Sequence, residues 1–190
     1  QVKWDRENFD FRFWGSFASH PLTGRANVEA YFYGLEERDA PRQATRNSHL
    51  YTPGMRIYAK PAAGKWDYEL EGAYQFGHLR ESTDALAGKQ SVSAYTLHAE
   101  AGYRFPAAWP LRLSLEYDRA SGDRPGGRYG RFDNLFGSRR SDFGPTSTFG
   151  ALGRANIGSL GLRLEFEPDK RWDGFVHYSA NWLDSASDSF

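Results

Sequence analysis

Charged side chains of both signs lie in the middle of segments that otherwise alternate with apolar residues. Arginine stays charged in a protein, and its planar guanidinium pairs with carboxylates. A row of such pairs along one wall can guide a charged solute without breaking a bond, or it can simply hold the wall together. The candidates for a substrate pathway are Arg12, Arg104, Arg112, Arg154, Arg163, Glu69, Glu71, Glu100, Glu116, Asp118 and Glu165.

Catalysis is the less favoured use of these carboxylates. Glu69 and Glu71 share one face of a strand about 7 Å apart, a spacing suited to an inverting glycoside hydrolase. An acid and a base need different surroundings, however, and these two occupy one repeating polar face. The five histidines show no tight metal-binding spacing, and the chain has no cysteine, nucleophile elbow or phosphate loop. The sequence therefore predicts no enzyme, no metal site and no cofactor.

The segments that carry the charges alternate with period two, which is typical of β-strands. In 109–118, Leu111, Leu113 and Leu115 share one face, while Arg112 and Glu116 share the other. The sequence predicts about eight strands, because similar alternation occurs in 9–17, 28–34, 55–59, 66–76, 95–105, 160–167 and 172–182. For 9–17 the pattern assigns the phenylalanines to the apolar face and places Arg12 and Trp14 on the polar face.

Short and long connections alternate between these strands. Bacterial outer-membrane barrels have short periplasmic turns and long external loops, so the rhythm predicts an antiparallel transmembrane β-barrel. The chain is then a single domain, 1–190, or a segment of one. The short links are 19–24, 61–65, 106–108 and 168–171, and the long ones are 37–48, 79–90 and the external loop 119–150.

Aromatic residues at both ends of the apolar parity favour a bilayer over a water-filled exterior. Trp109 and Tyr117 bracket three leucines, and Trp66 and Phe76 bracket Leu70. The 24 basic and 24 acidic residues balance, which disfavours nucleic acid as a partner, and no apolar run is long enough for a spanning helix. The alternative is a soluble all-β carbohydrate- or lipid-binding protein whose apolar parity forms a core.

The segment 117–137, YDRASGDRPGGRYGRFDNLFG, resembles the strand end and loop of the alginate-export family of outer-membrane porins. The matching elements are Tyr117-Asp118, Ser121-Gly122-Asp123, a Pro/Gly/Arg stretch and Phe132-Asp133-x-Leu135-Phe136. The segments 68–77, 102–118 and 156–161 resemble the stretches that flank this loop. The resemblance therefore covers most of the chain.

The resemblance implies a barrel of about 18 strands that exports an anionic, alginate-like polysaccharide through an arginine-lined pore in the outer membrane. The implied partners are the polymer or uronate-type solutes, outer-membrane lipid and periplasmic proteins of a secretion complex. Because only about eight strands are predicted here, we expect a part of a larger barrel whose last residues run into an external loop. The alternative is a closed eight-stranded barrel, filled by side chains, that acts as a membrane scaffold.

The loop 119–150 carries its own candidate residues. Its arginines form either an outer vestibule that attracts anions or an ordinary solvated surface. Asp123 and Asp133 could hold Ca²⁺ through carboxylate oxygens, but they lack the dense acidic spacing of a dedicated site, and the question stays open. The loop candidates are Asp123, Arg128, Arg131 and Asp133, and Arg124, Arg139 and Arg140 add to its positive charge.

Overall fold

A computed structural model describes residues 9–40, 43–107, 109–135, 152–169 and 171–189, and they form one antiparallel sheet in which neighbours in sequence are neighbours in space. This confirms the prediction of an all-β fold with about eight strands. The strands are β1 (Phe11–Pro21), β2 (Ala26–Glu37), β3 (His49–Ala59), β4 (Lys65–Arg80), β5 (Lys89–Phe105), β6 (Leu111–Ala120), β7 (Ile157–Asp169) and β8 (Trp172–Trp182). No helix among the described residues is long and apolar enough to cross a membrane.

The two faces of the sheet differ in composition and in exposure. We call the face that carries Leu70 and Leu115 the apolar face, and the face that carries Asp67 and Gln75 the polar face. Leu70 and Leu115 are each 53% exposed, whereas Asp67 is 3% and Gln75 0% exposed. A soluble protein buries its apolar face, so the soluble binder proposed as an alternative is wrong, and the outward side chains match the lipid-facing surface of a membrane barrel.

Aromatic rings form a row near each end of the apolar face. At the end with the short turns, the ring of Trp66 lies 5.2 Å from that of Tyr103. At the end with the long loops, Tyr51 lies 6.3 Å from Phe32 and 5.7 Å from Phe76. Aliphatic residues occupy the space between the rows, as expected for an apolar band between two membrane interfaces.

Strand β1 has the opposite facing to the one predicted. Trp14 pairs in register with Gly34, which pairs with Tyr51, so Trp14 belongs to the apolar face. Its ring packs 5.7 Å from Phe32 and extends the aromatic row there. Both faces of β1 carry aromatic residues, so alternation alone could not choose between them. As a consequence, Phe13 and Phe17 lie on the polar face.

The buried apolar core lies over the polar face, at the end with the long loops. Phe132 and Leu135, from the segment 121–135, pack there with residues of β2 to β7 such as Leu50 and Ala94. The segment is held by Gln75, whose amide donates to the Asp133 carbonyl (3.1 Å) and accepts from the Asp133 N–H (3.1 Å). This part of the predicted external loop therefore folds back across the polar face, because its two large apolar side chains are buried there.

The hairpin of β4 and β5 extends farther than the sequence predicted. Its strands have 16 and 17 residues, and the connection between them shrinks to 81–88. The extra length supports the segment 121–135, since the Tyr129 N–H donates to the Ser91 carbonyl (2.8 Å) and the Ser93 N–H to the Tyr129 carbonyl (3.0 Å).

Candidate functional site

Arg112 is the centre of a charge cluster on the polar face. It lies on β6 and donates hydrogen bonds to Asp67 on β4, to Glu100 on β5 (2.5 Å) and to Glu165 on β7 (3.4 Å). The path to Asp67 crosses β5 at Gly102, where a Cβ would lie 2.6 Å from Arg112 Nη2. The side chains of Arg112 and Asp67 are 10% and 2% exposed, so this ion pair is buried within the wall.

A second cluster surrounds Arg56 on β3. Its guanidinium donates to Glu69 on β4 (2.6 Å) and to Glu29 on β2 (3.1 Å). Beside it, the Tyr31 hydroxyl donates to Glu71 Oε1 at 2.6 Å. The acids of both clusters point to the same side of the sheet because antiparallel register brings equivalent positions of neighbouring strands together.

Further pairs continue along β5 to β8. His98 Nδ1 lies 2.8 Å from Asp118, which also lies 3.5 Å from Arg154. Arg163 lies 2.8 Å from Glu165. These contacts, together with Arg104–Glu167 (2.7 Å) and His177–Glu116 (3.5 Å), extend the paired charges along much of the length of the strands.

Ten of the eleven predicted pathway residues lie on or against the polar face of β4 to β7. Nine are strand residues, and Arg154 reaches Asp118 from the segment before β7. Arg12 is the exception and its prediction is wrong: it pairs in register with Glu36 on the apolar side of β1, where it is exposed and donates to the Phe9 carbonyl (3.3 Å). The nine are Arg104, Arg112, Arg163, Glu69, Glu71, Glu100, Glu116, Asp118 and Glu165.

Three members of these clusters were not predicted, namely Glu29, Arg56 and Asp67. A signal was present for two of them. Asp67 shares its parity with Glu69, and Arg56 interrupts the apolar Met55 and Ile57. Glu29 lies in a strand whose alternation is weak, because tyrosines occupy the polar face beside it.

The loop candidates take part in contacts that fasten the segment 121–135. Asp123 Oδ1 accepts from the Gly130 N–H (2.9 Å), and Asp133 Oδ1 accepts from the Leu135 N–H (2.7 Å). Arg131 pairs with Asp188 at 2.9 Å, while Arg128 is exposed. Arg139 and Arg140 lie outside the described residues. Within the described part of the chain, no three metal-ligating side chains come together.

The segment 183–189 is a second fastening that the sequence did not predict. Asn156 is fully buried and donates through Nδ2 to the carbonyls of Ser185 (3.1 Å) and Ser189 (3.0 Å). Asp184 accepts from Arg119 at 2.7 Å. Asp188 accepts from the Asp123 N–H at 2.9 Å, so this segment is joined directly to the segment 121–135.

The Asp188 contact predicts a defined response to acid. Burial opposes ionisation of Asp188, but the hydrogen bond from the Asp123 N–H and the Arg131 guanidinium outweigh it, and the pKa of this carboxyl is lowered from 3.8. Because the pKa is lowered in the folded protein, the ionised carboxylate stabilises the contact at neutral pH. This stabilisation is lost as pH falls below about 4. We expect the Asp123 amide to stay protected from hydrogen exchange at pH 7 and 5 and to lose protection below about pH 4.

Two comparisons check this expectation by exchange with mass spectrometry, corrected for intrinsic rates. Asp188→Ala should expose the Asp123 amide already at pH 7. The Tyr129 amide, whose acceptor is the Ser91 carbonyl, should show no matching loss in acid. Equal acid sensitivity of both amides would mean that the whole segment opens for another reason.

A cleft of about 520 Å³ opens on the polar face beneath the segment 121–135. Side chains of β1 to β5 line its floor, among them Phe17, Tyr31 and Arg56, and Phe132 and Arg154 approach from above. The floor thus joins aromatic rings to the charged rows. Since the cleft lies on the same face as the ion pairs, a solute moving along that face would pass it.

Comparison with known proteins agrees with this arrangement of an apolar outer face and a charged inner wall. No curated protein matches the chain. The sequence profile of the family described as Alginate export matches residues 1–190, the whole chain. That family consists of bacterial outer-membrane porins that export polysaccharide and are not enzymes. The chain therefore belongs to the alginate export family.

Proposed function

We propose that this channel exports an anionic, alginate-like polysaccharide that moves along the polar face in contact with its arginines. The observation that carries the proposal is the series of paired charges along the strands. Guanidinium groups pair with uronate carboxylates in two-point geometry, and neighbouring acids limit how tightly they hold them. A moving polymer needs contacts of this kind, strong enough to admit it and weak enough to release it.

The arginines of the wall differ in how far they can reach a solute. Arg112 is only 10% exposed and pairs with three acids, so its positive charge is compensated within the wall. Arg154 and Arg163 are 24% and 30% exposed, and they lie 3.5 Å from Asp118 and 2.8 Å from Glu165, respectively. Both are exposed enough to contact a passing carboxylate.

The carboxylates of the polar face limit how strongly its arginines attract an anionic polymer. In the described strands, carboxylates on the polar face outnumber arginines, and each arginine there lies beside at least one carboxylate. Such a wall holds a polyanion weakly. We infer that transport depends on brief exchange of an arginine between its own acid and the carboxylate of the polymer.

The open sheet supports a place for this chain in a larger barrel. In the described residues β1 pairs only with β2 and β8 only with β7. Unpaired backbone groups of an edge strand are costly inside a bilayer, so both edges must find partner strands. We propose that lipid covers the apolar face and that periplasmic secretion proteins meet the edge with the short turns.

The test is ion selectivity of the full-length protein in planar bilayers. We expect anions to be preferred, and current to be blocked by mannuronate oligomers added on one side. The double variant Arg154→Gln, Arg163→Gln should weaken both effects, because it removes two partly exposed guanidinium groups of the wall. Arg171→Gln removes one positive charge from a short turn and should leave selectivity unaltered.

A preference for cations, with no block by mannuronate oligomers, would contradict an anionic substrate. The excess of wall carboxylates would then set the selectivity, and the exported polymer would be neutral.

A further inference from the structure

Strand β1 carries aromatic rings on the polar face, the same face on which strands β4 to β7 carry their charges. Phe13 and Phe17 lie on the polar face and are 42% and 59% exposed. Their facing away from the apolar face means that lipid does not account for them. Two half-exposed phenylalanines on a charged wall indicate a surface that an apolar part of a solute can cover.

The ring of Phe13 packs on tyrosine rings that are themselves held in place. Phe13 stacks on Tyr33 with ring centres 5.6 Å apart and an angle of 18° between the planes. Tyr33 in turn lies 5.3 Å from Tyr31. The hydrogen bond from the Tyr31 hydroxyl to Glu71 (2.6 Å) holds that ring in place. Because the tyrosine rings are already ordered, little side-chain freedom is lost when a solute is bound.

Polar groups surround these rings within the same cleft. Glu29 and Arg56 lie on its floor, while Asp133 and Asn134 line it from the segment 121–135. Its volume of about 520 Å³ is within the range of small-molecule sites, which combine apolar walls with a few polar groups. A lipid tail would displace water from these charged groups without offering them hydrogen bonds, which disfavours it as the occupant.

A pyranose ring has the chemistry that this cleft fits. One face of the ring presents C–H groups that pack flat on an aromatic ring, and its edge presents hydroxyl groups that hydrogen-bond to carboxylates, amides and guanidinium groups. We propose that Phe13, Phe17, Tyr31 and Tyr33 form a stacking subsite for sugar rings of the exported polysaccharide. The inference rests on the proposed export function and adds a contact that does not depend on the charge of the polymer.

The charges near the rings suggest that stacking dominates at this subsite. Arg56 is held by Glu29 and Glu69, so its positive charge is already compensated. The subsite should accordingly bind neutral and acidic sugars alike, in contrast to the arginine contacts proposed above.

The experiment measures block of single-channel current in the full-length protein by two probes, mannuronate hexamer and the neutral cellohexaose. The double variant Phe13→Leu, Phe17→Leu keeps apolar side chains of similar size and removes the flat rings. We expect it to weaken block by both probes about tenfold, as the loss of two ring contacts implies. Phe13→Tyr, Phe17→Tyr retains the rings and should retain the block. Ser19→Ala, on the same face of β1, serves as control.

The outcomes separate the two proposals. If both probes block the leucine variant as well as they block the parent protein, the stacking subsite is overturned and export stands. If only mannuronate blocks the parent protein, its arginines suffice and the subsite is again overturned. If neither probe blocks the parent protein, the export function fails, and the subsite fails with it. Unchanged ion selectivity in the leucine variant, with weaker block, supports stacking independently of charge.

Discussion

Arg112→Ala is expected to destabilise the folded barrel by about 3–5 kcal/mol, the usual cost of removing one partner from a buried ion pair. Without the guanidinium, Asp67 and Glu100 lose their shared cation inside the wall, and Glu165 keeps only Arg163. The full-length variant should refold poorly into detergent micelles. Its folded form should lose the heat-modifiable gel mobility at lower temperature than the parent protein.

Two further variants test whether unpaired charge is the cause. Adding Asp67→Asn to Arg112→Ala removes one of the stranded carboxylates and should restore part of the stability. Arg163→Ala removes a more accessible pair and should cost only about 0–1 kcal/mol. If Arg112→Ala folds like the parent protein and only its ion selectivity changes, Arg112 contacts the solute and does not hold the wall.

The sequence predicted the sheet well because each strand from β4 to β7 is apolar on one face and charged on the other. That contrast makes the period of two visible in the residue types, and it placed Arg112, Arg163 and Glu100 on the correct face. In β1 the contrast is weak. Phe13 and Trp14 are adjacent aromatic residues, and only pairing with β2 decides which of them lies on the apolar face.

Contacts between distant segments were beyond what alternation can predict. The sequence identified Arg112 and Glu100 but could not show that Arg112 reaches across Gly102 to Asp67. It also gave no reason to expect the segment 121–135 to turn inward, since Gly, Arg and Asp dominate its composition. The two residues that decide its position, Phe132 and Leu135, are a small part of a polar loop, and their partners lie on β2 to β7.

The double variant Phe132→Ala, Leu135→Ala is expected to release the segment 121–135 from the polar face and to raise single-channel conductance. Both side chains are more than nine-tenths buried, and truncating such a residue costs about 2–5 kcal/mol. Even about 3 kcal/mol lowers the closed population roughly a hundredfold relative to the open one. The cross-section beneath the segment, including the cleft beside Arg56, would then open to ions.

The measurement separates opening of this segment from general damage to the barrel. Leu135→Met keeps the buried volume and should preserve the parent conductance, and Leu86→Ala, at a residue 94% exposed in the connection 81–88, should do the same. Gln75→Ala removes the two hydrogen bonds to Asp133 and should give an intermediate increase. An unchanged conductance in the double variant, with normal heat-modifiable mobility, would show that the segment does not limit the pathway. The narrowest part of the pathway would then lie nearer the short turns, beside Arg112 and its three acids. The arginine pairs alone would determine which solutes pass.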